Sequence, residues 1–370
     1  MIQMTEILTI ALTGGPCAGK TSAMKYLKEK LGTYGVQVFC VGEQATELMQ
    51  SGKTPEALGS FDFHRLLFGN QLAAEENARK AARESESKKA LVLCDRGLLD
   101  SRAYVSADDY SRYAAEYGFD EERVRNRYNA VFHLVTAANG AEEFYSLENN
   151  KARGEDPEQA RRLDEAVLSL WIGTPHLRVL DNRTDFDGKL SRLLRETLAV
   201  LGIPEPLEIE RKFLIAYPDT EFLNELKTCR RIPITQAYLT TPEEGRFRVR
   251  KRGEGDDAVY IKTIKHKIND LKRIEIEDNI SEEEYYAYLK QKEYVEGMIS
   301  KDRYCLVWDA QYFELDVYPF WADRATLELE LLSENQPYRL PDFLTVIRDV
   351  SFEKDYRNKT LAVRYGKLFT

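Results

Sequence analysis

Along residues 1–202, short apolar runs alternate with stretches of helical period. "ILTIALTGG" is β-rich and apolar, and "AGKTSAMKYLKEKL" then places its apolar residues on one helical stripe. "VQVFCVGE", "ALVLCDRG", "AVFHLVTA" and "HLRVLDN" read as four further strands. The helices between and after them include the long "FHRLLFGNQLAAEENARKAARES" and the closing "KLSRLLRETLAVLG". Apolar strands separated by helices predict an α/β domain with a parallel sheet covered on both faces. Residues 203–370 follow another rule. "LEIERKFLI", "GRFRVRKRG", "KRIEIED", "YFELDVY" and "ATLELELL" alternate apolar with charged residues, the pattern of strands with two unlike faces.

The change of period falls at "LGIPEP", a short stiff connector with two prolines, so two domains are expected, 1–202 and 203–370. A net charge of −9 argues against general nucleic-acid affinity. The five cysteines are scattered without CxxC pairs, which suits a reduced, cytoplasmic protein. The opening "MIQMTEILTIALTGG" lacks a basic leader and reads as a first strand. No apolar run approaches the ~20 residues of a transmembrane helix.

Between the first strand and first helix stands Gly14-Gly15-Pro16-Cys17-Ala18-Gly19-Lys20-Thr21, which satisfies G-x-x-x-x-G-K-[ST]. Glycines let such a loop turn its N–H groups inward, while the following helix offers its positive end to phosphate. Lys20 is expected at the β- and γ-phosphates and the Thr21 hydroxyl at magnesium. Asp95, at the tip of "LVLCD", is placed to orient that ion or its waters; Asp100 is the weaker candidate and reads as a helix cap. Residues 141–162 are crowded with charge, and Arg153, Arg161 and Arg162 stand where small kinases close an arginine-bearing lid, although a solvated helix accounts for each equally well. Asp181 and Asn182 end the fifth strand, where a base is commonly contacted, with ATP and GTP both open. His64, Arg65 and Gln71 are candidates for a second substrate or plain helix surface. Taken together, this half resembles the P-loop ATPase and kinase domains related to nicotinamide riboside kinase.

In the second half Glu208, Glu210 and Lys212 share one strand face; Arg246, Arg248 and Arg250 share another. Glu275 with Glu277, Lys301 with Arg303, Glu314 with Asp316, and Glu328 with Glu330 repeat the spacing. A wet outer face explains any one such strand. Faces of nearly pure sign need another explanation, because like charges side by side repel unless a counter-charge lies over them. Closing the sheet into an antiparallel β-barrel with charges inward supplies one: cations grip phosphate, acids hold divalent metal, and helices such as 282–293 cover the apolar outside.

This half resembles the CYTH, or triphosphate tunnel metalloenzyme, domain, whose E-x-E-x-K hallmark corresponds to Glu208, Glu210 and Lys212. The resemblance implies Arg248, Arg250, Lys301 and Arg303 as triphosphate ligands beside Lys212. It implies Asp316, Glu328 and Glu330 as metal-side acids beside Glu208 and Glu210. Lys265 fits the family's T-x-K spacing in "YIKTIKH", whereas Lys262 lies on the other face. "VSFEKDYRNKTLA" looks like the family's closing stretch. The implied reaction is Mg2+- or Mn2+-assisted cleavage of a phosphoanhydride in a nucleoside triphosphate or inorganic polyphosphate. Glu208, Glu210, Lys212 and Lys265, with Asp95 in the first half, are its candidate catalytic groups. The order of the two domains, with "RVRKRG", "DNRTDFDGKL" and "YFELDVY", is similar to the TRPL translocation defect protein family. That likeness implies guanine nucleotide and acidic phospholipid as further ligands, and a nucleotide-gated regulatory module as the alternative to a hydrolase, with a small-molecule kinase as the third reading.

Overall fold

The computed structural model describes residues 6–145, 156–203, 207–255, 258–267 and 272–366. The chain divides into two compact units between Thr197 and Leu198, a few residues ahead of the proline-containing connector.

The first unit runs β1 (Glu6–Thr13), α1 (Lys20–Gly32), β2 (Val36–Val41), α2 (Gln44–Gln50), α3 (Pro55–Leu58), α4 (Ser60–Arg83), β3 (Lys89–Asp95), α5 (Ala107–Glu116), α6 (Glu121–Arg125), β4 (Ala130–Leu134), α7 (Pro157–Trp171), β5 (Leu177–Leu180) and α8 (Phe186–Val200). All five strands are parallel, in the order β2-β3-β1-β4-β5. The central strands β1, β3 and β4 are buried almost throughout, as strands covered on both faces must be. Their C-terminal ends therefore converge on one edge, where the loops after β1, β3, β4 and β5 meet.

The second unit contains β6 (Leu207–Ala216), α9 (Thr220–Glu225), β7 (Cys229–Thr241), β8 (Gly245–Arg252), β9 (Val259–Lys267), β10 (Lys272–Ile280), α10 (Glu282–Lys290), β11 (Val295–Trp308), β12 (Gln311–Val317), β13 (Arg324–Leu331), β14 (Val346–Asp349) and α11 (Asn358–Tyr365). Its antiparallel strands follow the order β10-β9-β8-β7-β11-β12-β13-β6, and β10 pairs in turn with β6 through Arg273 opposite Glu208. That last pairing closes the ring into a barrel, with β14 added outside it on β6.

Two apolar clusters show which way the strands face. Ile209, Phe213, Phe313, Leu315, Leu327 and Leu329 pack with Leu223 of α9 and with Tyr338, Leu340 and Leu344. Ala237, Leu239, Phe247 and Val249 pack under Tyr285, Tyr288 and Leu289 of α10. Since successive side chains alternate across a sheet, the charged sets point into the barrel. At one end α11 lies against the inward-facing Ile299 and Tyr318 and buries Leu361 and Ala362 there.

Candidate functional sites

In the first unit the loop after β1 turns beneath the start of α1. Gly14 has φ +133°, and a side chain on it would come within 2.1 Å of the Leu134 carbonyl oxygen, so only glycine fits. Lys20 is buried, and its ammonium donates to the carbonyls of Gly14 at 3.0 Å and Gly15 at 3.1 Å. The Thr21 hydroxyl donates to Asp95 Oδ2 at 3.3 Å, which joins the two motif positions at the sheet edge. Burial pushes the Asp95 carboxyl up, with Lys20 pulling the other way. Cys17, Ala18 and Gly19 complete the turn, Cys17 and Gly19 both at positive φ.

Several neighbours do other work than the sequence suggests. Asp100 caps no helix: it is buried and accepts from Thr13 Oγ1 at 2.8 Å and from Trp171 Nε1 at 2.7 Å. Asn182 donates to the carbonyls of Thr136 at 2.8 Å and Asn139 at 2.7 Å and accepts from Lys189 at 2.8 Å. Its amide NH2 thus ties the end of β5 to the loop after β4 while its carbonyl holds Lys189 of α8, leaving little for a base edge. Asp181 pairs with Arg192 at 2.6 Å and Arg183 at 3.0 Å. Burial foremost, with Arg192 beside it, brings Lys189 down to about 8 against the pull of Asp164 and Asp181. His64 and Gln71 are buried rather than on a helix surface, while Arg65 pairs outside with Asp62 and Glu116. Arg161 donates to the Ala138 carbonyl at 2.7 Å, Arg162 pairs with Glu158 in solvent, and Arg153 lies outside the described residues. Sequence reasoning missed Asp164 of α7, which accepts from the Gly15 N–H at 2.6 Å, and Arg96, which reaches Glu43 at 3.1 Å, Asp100 at 3.4 Å and the Gly14 carbonyl at 3.4 Å. Neither carries a spacing signal; Arg96 stands out only through its positive φ.

In the barrel, strand register decides which charges meet. Glu328 faces Lys212 and Glu330 faces Glu210 across β13 and β6; Glu314 faces Glu328 across β12 and β13; Asp316 faces Arg303 across β12 and β11. Arg303 grips Asp316 with two bonds of 2.7 Å, reaches Glu328 at 2.9 Å, and pairs with Glu314. Lys212 pairs with Glu328 at 2.6 Å and Lys301 with Asp316, so these side chains form one continuous network, buried except at the half-buried Glu314. Burial works against the Lys212 ammonium, but Glu328 and Glu210 outweigh it and raise its pKa. For Lys301 burial wins: together with Arg303 it brings the ammonium down to about 8 despite Asp316. Asp316 and Glu328 are held below the usual carboxylate range in spite of burial, Asp316 chiefly by Arg303 and Glu328 chiefly by Lys212.

Elsewhere around the ring, Arg248 donates to Thr263 Oγ1 at 3.0 Å and pairs with Glu277 at 3.2 Å. Arg250 makes a long contact with Gln236 at 3.4 Å. Lys262 stands on the outside, over the rings of Phe247 and Tyr288 and paired with Glu244. The backbone of Lys265 pairs with Glu275 on the opposite register face from Lys262, while the side chains of Glu208, Lys265 and Glu275 lie outside the described residues. At the α11 end Asn358 accepts from Tyr318 at 2.6 Å and from Lys301 at 3.4 Å. Among the described residues no three carboxylate, imidazole or thiol groups converge closely enough to hold an ion by themselves.

The AAA domain family model matches residues 9–189, and the CYTH domain model matches residues 206–346. No curated protein matches the chain. Among solved structures the inorganic triphosphatase NE1496 is 31% identical, with 42% of this chain and 94% of that one covered and a TM-score of 0.29. HpAC1 from Hippeastrum, which has a dominant triphosphatase activity, is 16% identical over 34% of this chain and 79% of its own, with a TM-score of 0.27. The PH1012 protein from Pyrococcus horikoshii is 20% identical over 33% and 77%, with a TM-score of 0.25. These scores are too low to carry structural inference, and the assignment rests on the two domain models. The chain is an AAA domain joined to a CYTH domain, and through its second unit it belongs to the CYTH family.

Proposed function

We propose that the barrel binds a linear triphosphate, as inorganic tripolyphosphate or the tail of a nucleoside triphosphate, and hydrolyses its phosphoanhydride. The AAA domain binds ATP or GTP separately at its P-loop. The observation that carries this reading is a closed barrel whose inward faces hold Lys212, Arg248, Arg250, Lys301 and Arg303, all but Arg250 buried. Arg248 and Arg250 lie two apart on one strand, the spacing at which two guanidiniums grip successive phosphoryl groups.

A divalent ion fits the remaining chemistry. Glu210 and Glu330 are directly opposed on adjacent strands, and opposed carboxylates favour a cation between them. Magnesium or manganese is commonly held by one or two carboxylates together with phosphate oxygens, so the substrate supplies the rest of the site. Glu208, on the same strand, is the third candidate. Asp316 and Glu328, already gripped by Lys301, Arg303 and Lys212, instead hold those cations in place. When bound, the metal neutralises charge developing on the phosphoryl oxygens. The protein's side chains fix the anion, keep its oxygens paired and align the scissile bond with an attacking water.

The test is release of orthophosphate from tripolyphosphate, ATP and GTP with magnesium or manganese present. Wild type is expected to be active and Glu210→Gln to lose most of that activity. Lys20→Ala should weaken nucleotide binding, to a level calorimetry still reads, while leaving tripolyphosphate hydrolysis intact. Equal activity of wild type and Glu210→Gln would overturn the barrel assignment.

A further inference from the structure

The P-loop is tied from beneath by groups that no phosphate-binding motif contains. Thr136 Oγ1 donates to the Pro16 carbonyl at 2.5 Å, and the Ala137 N–H donates to the Cys17 carbonyl at 3.2 Å. The Gly15 N–H donates to Asp164 Oδ1 at 2.6 Å. A trans peptide is planar, with its C=O and N–H pointing in opposite directions. Tying down the carbonyls of Pro16 and Cys17 therefore turns the next N–H groups, those of Cys17 and Ala18, the other way.

The Gly14–Gly15 peptide is tied by its opposite end. With its N–H held by Asp164, its carbonyl points to the side on which Lys20 donates at 3.0 Å and Arg96 at 3.4 Å. We propose that Asp164 is a positioning residue for the nucleotide: by holding the Gly15 N–H it orients the Gly14 carbonyl that docks Lys20, and so places the ammonium that meets phosphate. This rests on reading the first unit as a nucleotide-binding domain.

The surroundings are built for that task. Asp164 is buried, and Oδ1 also accepts from the Thr136 N–H at 3.3 Å and lies 3.3 Å from His133 Nε2. Burial disfavours its charge, but His133, the Gly15 N–H and Lys20 together hold it ionised. A Cβ on Gly15 would lie 2.9 Å from Asp164 Cβ and Oδ1, so the second glycine makes room for this carboxylate. Asp164 also lies on α7, the helix whose Arg161 binds the loop after β4. One helix thus fastens both that loop and the P-loop.

The experiment combines binding with an amide probe on the full chain. Calorimetry with magnesium plus ATP or GTP is run on wild type, Asp164→Ala, Asp164→Asn, Lys20→Ala and the Lys20→Ala/Asp164→Ala double variant. Loss of a charge-assisted bond predicts about tenfold or more weaker binding for Asp164→Ala, with Asp164→Asn, which keeps an acceptor oxygen, nearer wild type. If Asp164 acts through Lys20, its removal costs nothing further in the Lys20→Ala background. Hydrogen exchange at the Gly15 amide, followed by NMR, should be slow in wild type and fast in Asp164→Ala. Undiminished affinity in Asp164→Ala, an equal penalty with and without Lys20, or a fast-exchanging Gly15 amide in wild type would each overturn the proposal. If wild type binds neither nucleotide, the nucleotide-binding reading fails, and the Gly15 amide alone decides whether Asp164 sets the loop. Should Asp164→Ala fail to fold, the wild-type Gly15 amide decides: slow exchange supports the tie to Asp164 and fast exchange overturns it.

Discussion

Inside the barrel Lys212, Lys301 and Arg303 lie among Glu314, Asp316 and Glu328, three cations among three acids, all joined by ion pairs. On β8 the balance differs. Arg248 reaches Thr263 and Glu277, and among the described residues Arg250 forms no ion pair. Desolvation of the half-buried guanidinium, with Arg248 beside it, brings Arg250 down to about 10. The sequences of these strands look alike, each a charged residue at every second position. Register separates them: where β11 pairs with β12 the cations face acids and the charges cancel, and where β8 pairs with β7 and β9 the facing residues are Gln236, Tyr238 and Thr263, which carry no charge.

The largest effect expected from breaking this contrast is on the compensated side. Arg303→Ala leaves the buried Asp316 and Glu328 and the half-buried Glu314 short of their partner and should cost about 3–5 kcal/mol, read from denaturant unfolding of the barrel. Arg250→Ala should do the reverse, leaving stability within about 1 kcal/mol while raising the half-saturating tripolyphosphate concentration about 10- to 100-fold, as loss of a bond to a charged group predicts. Similar stability losses from both substitutions would erase the distinction.

A pH series sharpens it next. The folded pKa of Lys301, about 8, lies below its ordinary 10.5, so the unfolded chain binds that proton more tightly. Its contribution is therefore least favourable below pH 8 and improves as pH rises from about 8 toward 10.5. Wild-type stability should climb relative to Lys301→Met across that window by about 1–2 kcal/mol, while hydrolysis falls as the cation is lost. Lys212, shifted the other way, contributes no such rise. The smallest effect belongs to the outer face: Lys262→Ala should change stability by less than about 1 kcal/mol and leave hydrolysis unchanged, which a thermal melt and a phosphate assay would check.

Much of this architecture is written in local pattern. Period-two charge alternation announced strands with two faces, and the G-x-x-x-x-G-K-[ST] spacing located a loop that does join Thr21 to Asp95. Pairing partners were not legible. Arg303 meets Asp316 across the β11–β12 hairpin and Arg250 meets Gln236 across β7–β8, so what each cation finds is set by the register between two strands and is invisible in either one alone. Asp164 escaped notice for the same reason: it belongs to no motif, and only the packing of α7 brings it to a glycine 149 residues away. Asn182 misled in the opposite sense, a polar residue at a strand end whose bonds all turn inward.

The helix α11 is seated against the inward-facing Ile299 and Tyr318 at one end of the barrel. With α11 in place, product leaving by the other end would share its route with incoming substrate. Traffic in a single doorway makes orthophosphate and pyrophosphate natural competitors of the incoming chain. A long polymer could be nibbled at its tip, whereas threading it through would require α11 to let go.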